Sequence, residues 1–247
     1  MDNIRYSSVG NYIIVFQMLN HTISDECRKD IYDRQHALYH GNIFRIINIL
    51  PKHELIQKVE FIQDENGLVF QLNKIIAIDV QSYDKQVEGG IIYFRDINCA
   101  RFYGLTWIKD VSYSGIIKKY YDNGQLNYVC YCKNGMLNGL CICYHTNGKK
   151  MKRYVYKNDI IVGLYEEYHL NGNKKIICLY NDLSLKDGEH IEYDKNEHII
   201  KCCYYKDGYL QKLCDEFYED GTSYKINEQI ESNIHYPIND YDNFSFI

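Results

Sequence analysis

Glycine recurs through the second half of this chain at nearly constant intervals. Gly89, Gly115, Gly139, Gly163 and Gly188 are 26, 24, 24 and 25 residues apart. Five positions after each stands an aromatic residue: Phe94, Tyr120, Tyr144, Tyr168 and Tyr193. Three units then carry Asn-Gly at one offset, Asn123-Gly124, Asn147-Gly148 and Asn171-Gly172, and the next has Asn196-Glu197. A second turn signal follows at Asn134-Gly135, Asn158-Asp159, Asn181-Asp182 and Asp207-Gly208. Agreement at several independent positions is the mark of an internal repeat, and it limits the fold to a stack of similar units.

Asn-Gly is the favoured pair for a tight hairpin turn whose two central residues both take positive φ. Two turns per unit leave room for two strands of about six or seven residues. Each unit therefore reads as a β-hairpin. A lone hairpin is marginal in water, whereas stacked hairpins share one continuous aromatic face. The recurring glycines are expected where that face bends or another strand comes close. The composition agrees: there are 26 tyrosines against three alanines (Ala37, Ala77 and Ala100) and two prolines, which favours strands over helices.

The units beginning at Gly139 and Gly163, each with its Tyr-His-x-Asn-Gly turn, resemble MORN repeats. They are closest to the variant Tyr-x-x-Asn-Gly form of bacterial antitoxin-like proteins and large DNA viruses. The resemblance runs over residues 89–224 and rests on Gly115, Tyr120, Gly124, Gly139, Tyr144, Gly148, Gly163, Tyr168, Gly172, Gly188 and Tyr193. It implies a non-enzymatic scaffold of stacked hairpins that binds partners or itself. For some members lipid binding is proposed.

The expected architecture is mainly β: an elongated meander of hairpins over 89–224, a mixed α/β capping segment over 1–88, and a tail or cap over 225–247. Within the first segment, Ser24 or Asp25 could cap a helix running to Tyr39. Pro51 could open a second short helix through Val59. The stretch around Asn66-Gly67 reads as a hairpin, a degenerate first repeat. Residues Tyr12–Leu19 are apolar but far short of the roughly 20 needed to span a bilayer, and they lack a basic leader. The chain is thus expected to start near Met1 in a reducing cytoplasm, or in a virion if it is viral. Its ten cysteines then serve as reduced core residues.

Lysine and arginine number 28 against 33 acidic residues, a formal charge of −5, so no nucleic-acid partner is expected. One local cluster is basic: Lys149, Lys150, Lys152 and Arg153. It would suit anionic lipid headgroups or an acidic partner, unless it is simply a solvated surface. Cys130, Cys132, Cys141 and Cys143 flank a turn, and alternate residues share a face. Centred between residues 136 and 137, that hairpin would oppose Cys132 to Cys141 and Cys130 to Cys143. Four thiolates there could approach a zinc site, although Cys130, Cys132 and Cys141 fall on Tyr154, Tyr156 and Tyr165 one unit later and so read as core. His145 and His169, 24 residues apart, recur at a polar strand end and are expected to be solvated. His36 and His40, with Cys27 nearby, have the spacing of one helix face.

No phosphate loop, nucleophile elbow or His-Glu-x-x-His motif occurs, and Glu166-Glu167 would point to opposite faces of a strand. No enzyme and no cofactor are expected. The reading is a repeat scaffold for protein interaction or self-association, as a homodimer. Peripheral lipid binding and an antitoxin-like neutralising role are the alternatives.

Overall fold

The computed structural model describes residues 3–52, 56–83, 86–104, 113–217 and 223–224. The chain divides into two units, 1–129 and 130–247.

In the first unit, β1 (Ile4–Val9), β2 (Tyr12–Met18), β3 (Leu38–Gly41) and β4 (Ile43–Pro51) precede three short strands: β5 (Phe61–Gln63), β6 (Val69–Gln71) and β7 (Ile75–Ala77). Then come β8 (Gln81–Tyr83), β9 (Gln86–Glu88), β10 (Ile91–Phe94), the helix α1 (Ile97–Phe102) and β11 (Gly115–Tyr120). Six of these form one sheet in the order β3-β10-β1-β2-β4-β7. The apolar run at Tyr12 is its central strand, buried on both faces. Ile14 and Phe16 enter a core with Tyr39, Phe44 and Tyr93, where the rings of Phe16 and Phe44 stack at 4.8 Å. Ile13 faces the other way, onto Leu38, Phe94, Cys99 and Ala100. A strand covered on both sides must be apolar at every position, so alternation vanishes.

The segment expected as a helix from Asp25 to Tyr39 is a chain of turns that ends in β3. Its polar side chains have partners elsewhere. Asp25 accepts from the backbone of His40 at 2.8 Å and pairs with Arg28, while Glu26 receives Arg5 and Arg95. The amides of Tyr32 and Asp33 donate to Asn123 O, so they cannot close a helical turn. Asp25 and Glu26 thus compete with local helix formation. Pro51 ends β4, pairing across from Tyr12, instead of opening a helix. A strand end is a place where the missing N–H costs nothing. The helix present, α1, is capped by Asp96, which accepts from Asn98 N at 2.7 Å. The Asn66-Gly67 hairpin forms as β5–β6, a two-stranded sheet of its own. Gly89 and Phe94 frame β10 of the six-stranded sheet, so that unit is no repeat hairpin.

From β11 the pattern changes. β11 pairs with β12 (Leu126–Lys133), inside which the two units divide. In the second unit β13 (Met136–Tyr144), β14 (Lys150–Lys157), β15 (Ile160–Tyr168), β16 (Lys174–Tyr180), β17 (Lys186–Tyr193), β18 (Ile199–Lys206), β19 (Tyr209–Phe217) and β20 (Ser223–Tyr224) follow. Each pairs antiparallel with the next, in chain order. Among the described residues no helix is long and apolar enough to cross a membrane.

Candidate functional site

The repeat sheet has two faces of different chemistry. One buries Cys130, Cys132, Cys141, Cys143, Tyr154, Tyr156, Tyr165, Cys178, His190 and Cys203. Register explains the selection: Cys141 opposes Tyr154, and Tyr165, Cys178, His190 and Cys203 oppose one another in succession. Rings and small thiols thus share this face, with Tyr154 and Tyr165 side by side between Cys141 and Cys178. Tyr154 stacks on Tyr165 at 5.6 Å, and His190 meets the edge of Tyr205 at 5.8 Å.

The repeat glycines sit across the ladder from tyrosines. Gly139, Gly163 and Gly188 lie opposite Tyr156, Tyr180 and Tyr205. At Gly163 φ is +70°, beside the register shift between Arg153 and Val155. That makes it the bulge residue, in a conformation that side chains resist. A Cβ on Gly124, by contrast, would come within 2.0 Å of Asp33 O, so there close backbone approach demands glycine. Tyr120 stacks on His36 at 4.2 Å, while Tyr144, Tyr168 and Tyr193 pair with Lys150, Lys174 and Ile199 at the strand ends.

The two turns of each unit are of different kinds. At Asn134-Gly135, Asn158-Asp159 and Asp207-Gly208 both residues have positive φ, as a two-residue primed turn requires. At Asn147-Gly148 and Asn171-Gly172 only the glycine does, which corrects the expectation of a tight Asn-Gly turn there. Gly148 N donates to His145 O, and His145 N donates to Lys149 O, closing a three-residue loop. Asn147 Oδ1 accepts from Lys149 N at 3.0 Å, the short-range bond to which asparagine is suited.

These three-residue loops also join neighbouring units. His145 Nε2 donates to Tyr168 O at 3.0 Å, and His169 Nε2 donates to Tyr193 O at 2.9 Å. Asn147 Nδ2 reaches Leu170 O at 2.8 Å, and Asn171 Nδ2 reaches Lys195 O at 2.7 Å. The histidines are therefore staples between repeats, not solvated side chains. Their 24-residue spacing was the signal, read as exposure because a ladder bond to backbone leaves no trace in the partner's identity.

A family model of the variant MORN repeat matches residues 113–134, 137–158, 161–182 and 186–207. Residues 113–207 are variant MORN repeats. Each match from residue 137 onward is one strand pair closed by a three-residue loop. No curated protein matches the chain in sequence.

Within the MORN array the cysteine cluster is not arranged as expected. The thiol of Cys141 bonds to those of Cys130 and Cys143, so it meets Cys130 across the hairpin; the two-residue turn lies at Asn134-Gly135, not between residues 136 and 137. Hydrogen bonding to Cys130 and burial push the Cys141 thiol up to about 12, and Cys143 is raised as well. Among the described residues no group of three or more His, Cys, Asp or Glu side chains is placed to hold a metal.

The basic cluster is split. Lys152 and Arg153 point to opposite faces: Lys152 lies between Cys143 and Glu167, and Arg153 pairs with Glu166 at 3.1 Å. Lys149 Nζ donates to Asn171 O at 2.5 Å, and Lys150 is exposed beside Tyr144. His36 and His40 bond to different carboxylates, Asp33 and Asp25. They share no site.

Sequence reasoning missed the second face. Leu140 opposes Val155, Val155 opposes Val162, and Leu164 opposes Leu179. Tyr131, Leu140, Leu164, Leu179 and Tyr204 are 39–45% exposed. The available signal was the apolar residue directly after Gly139 and Gly163, easily absorbed into a general β pattern. Three charge pairs lie on this face, Arg153 with Glu166, Lys157 with Asp182 and Lys206 with Asp187, and the exposed Glu189 stands opposite Tyr204.

Proposed function

We propose that the chain is a non-enzymatic repeat scaffold that binds a protein partner, including a second copy of itself, through the exposed face of its MORN sheet. The row Tyr131, Leu140, Leu164, Leu179 and Tyr204 carries the reading. Contiguous exposed apolar surface marks interaction sites, and aromatic residues are enriched at protein interfaces. The cross-strand ion pairs bordering the row add little stability, but they offset charge on this side of an acidic protein, which lowers the like-charge repulsion between two copies meeting there. The division of Lys152 and Arg153 between faces supports this reading over anionic-lipid binding, which needs basic groups side by side.

The test replaces Leu140 and Leu164 with lysine and compares the variant with the native chain by light scattering across concentration and by quantitative affinity capture. The native chain should self-associate or retain a stoichiometric protein, and the variant should lose that property with its circular dichroism intact. If neither property differs between the two, the face is not the binding surface.

A further inference from the structure

A groove of about 710 Å³ in the first unit is lined on one side by Ser8, Lys52, Tyr103 and Gly104. Its other side includes Ile62, Phe70 and Ile91. Lys52 is buried. Its ammonium donates to Ser8 Oγ at 2.7 Å, one of the three bonds an ammonium can make. Ser8 Oγ donates onward to Tyr103 O at 3.4 Å. A second cation stands beside it, because the guanidinium of Arg101 donates to Lys52 O. Among the described residues neither cation is paired with a carboxylate. Two acids also line the groove, Asp64, which accepts from the amides of Asn66 and Leu68, and Glu65, exposed at the turn.

Buried charges in proteins are normally paired, since an unpaired one forfeits its hydration without return. Two like charges side by side raise that cost. Burial and Arg101 together lower the Lys52 ammonium to about 8, because both disfavour its charged form. We propose that Lys52 and Ser8, with the charge of Arg101 close behind them, bind the phosphate of a small phosphomonoester. A dianion balances two cations, whereas a carboxylate would leave one uncompensated. Phosphate also offers several acceptor oxygens to the ammonium donors of Lys52. The groove volume lies within the small-molecule range, and the apolar wall of Ile62, Phe70 and Ile91 would receive the organic part. Nothing in this site draws on the repeats, so it stands or falls apart from the scaffold reading.

The experiment titrates the full chain with inorganic phosphate, phenyl phosphate and acetate at matched ionic strength, by calorimetry and by NMR of the Lys52 side chain. Phenyl phosphate should bind more tightly than inorganic phosphate, and both more tightly than acetate. The Lys52 ammonium should titrate higher once phosphate is bound. Lys52→Met should weaken phenyl phosphate binding about ten- to hundredfold, the worth of one or two charge-assisted hydrogen bonds. Without ligand this variant should be at least as stable as the native chain, because it removes a desolvated charge while keeping the volume. Equal affinity in the native and Lys52→Met proteins, no binding at tens of millimolar, or acetate binding as tightly as phosphate would each overturn the proposal.

Discussion

At the scale of residues, the array is governed by backbone conformations that most side chains avoid. Glu197 has φ +67° at the position held by glycine in the two preceding loops. A left-handed conformation costs a side-chain-bearing residue about 1–2 kcal/mol, partly offset by the greater freedom glycine loses on folding. Glu197→Gly should therefore stabilise the array by roughly 0.5–1 kcal/mol, read as a higher urea midpoint. Asp159 also has positive φ, +66°, yet its carboxylate accepts from Leu137 N at 2.6 Å. Replacing it with glycine exchanges a turn-stabilising bond for a relaxed backbone, so Asp159→Gly should bring no gain. Gly163→Ala isolates the backbone term, because no atom lies within 4 Å of the added Cβ. It should cost about 1–2 kcal/mol; an unchanged midpoint would refute the role given to this glycine.

At the scale of elements, the hairpins are joined through their loops. His169 and Asn171 donate to the carbonyls of Tyr193 and Lys195 in the next repeat. Asn171 also accepts from Asn173 N within its own loop, so one side chain shapes the turn and ties it to its neighbour. Asn171→Ala should cost about 1–2 kcal/mol. Repeats that touch only their neighbours lose cooperativity when an interface is weakened, so urea unfolding should also broaden. A parallel shift with unchanged slope would place the coupling elsewhere. The single 25-residue interval has an element-level cause. Between Gly163 and Gly188 the second turn is a three-residue loop, with Ser184 N donating to Asn181 O and φ +60° at Ser184. The corresponding turns at Asn134 and Asn158 hold two residues. An extra loop residue lengthens the repeat without disturbing strand register.

At the scale of the whole molecule, the two units should respond differently to acid. In the array, burial lowers His190 below the usual histidine value, against the hydrogen bond with Glu192 and together with the charges of Lys186 and Lys201. A group lowered in the folded state stabilises above its unfolded value and loses that contribution as pH falls through the folded one. The array should weaken from about pH 6.5 downward. In His190→Tyr, which installs the side chain of the preceding repeat, that loss should shrink. In the first unit, burial would raise Asp25 and Glu26, but bonds from His40, Arg5 and Arg95 hold both below the carboxylate range. Their contribution is lost only as pH falls below about 4. Hydrogen exchange at pH 7.5, 5.5 and 4 should show residues 130–211 losing protection first. Simultaneous loss across both units would contradict these assignments.

The sequence by itself determined the hairpin array, because a bulge glycine, a loop asparagine and the aromatic between them are local requirements that recur wherever the hairpin does. Turn positions and the tyrosine face were legible for that reason, while most strands of the array run to eight or nine residues, longer than the about six or seven expected. The tertiary structure decided what depends on partners distant in the chain. Asp25 and Glu26 could cap a helix locally, but Arg5, His40 and Arg95 hold them in a turn-rich segment. Cys141 meets Cys130 across a hairpin whose turn lies at Asn134-Gly135, a pairing that cysteine spacing alone does not reveal. Lys152 and Arg153 are adjacent in sequence yet face opposite ways. Lys52 and Arg101, 49 positions apart, become neighbours only when β4 and the end of α1 meet.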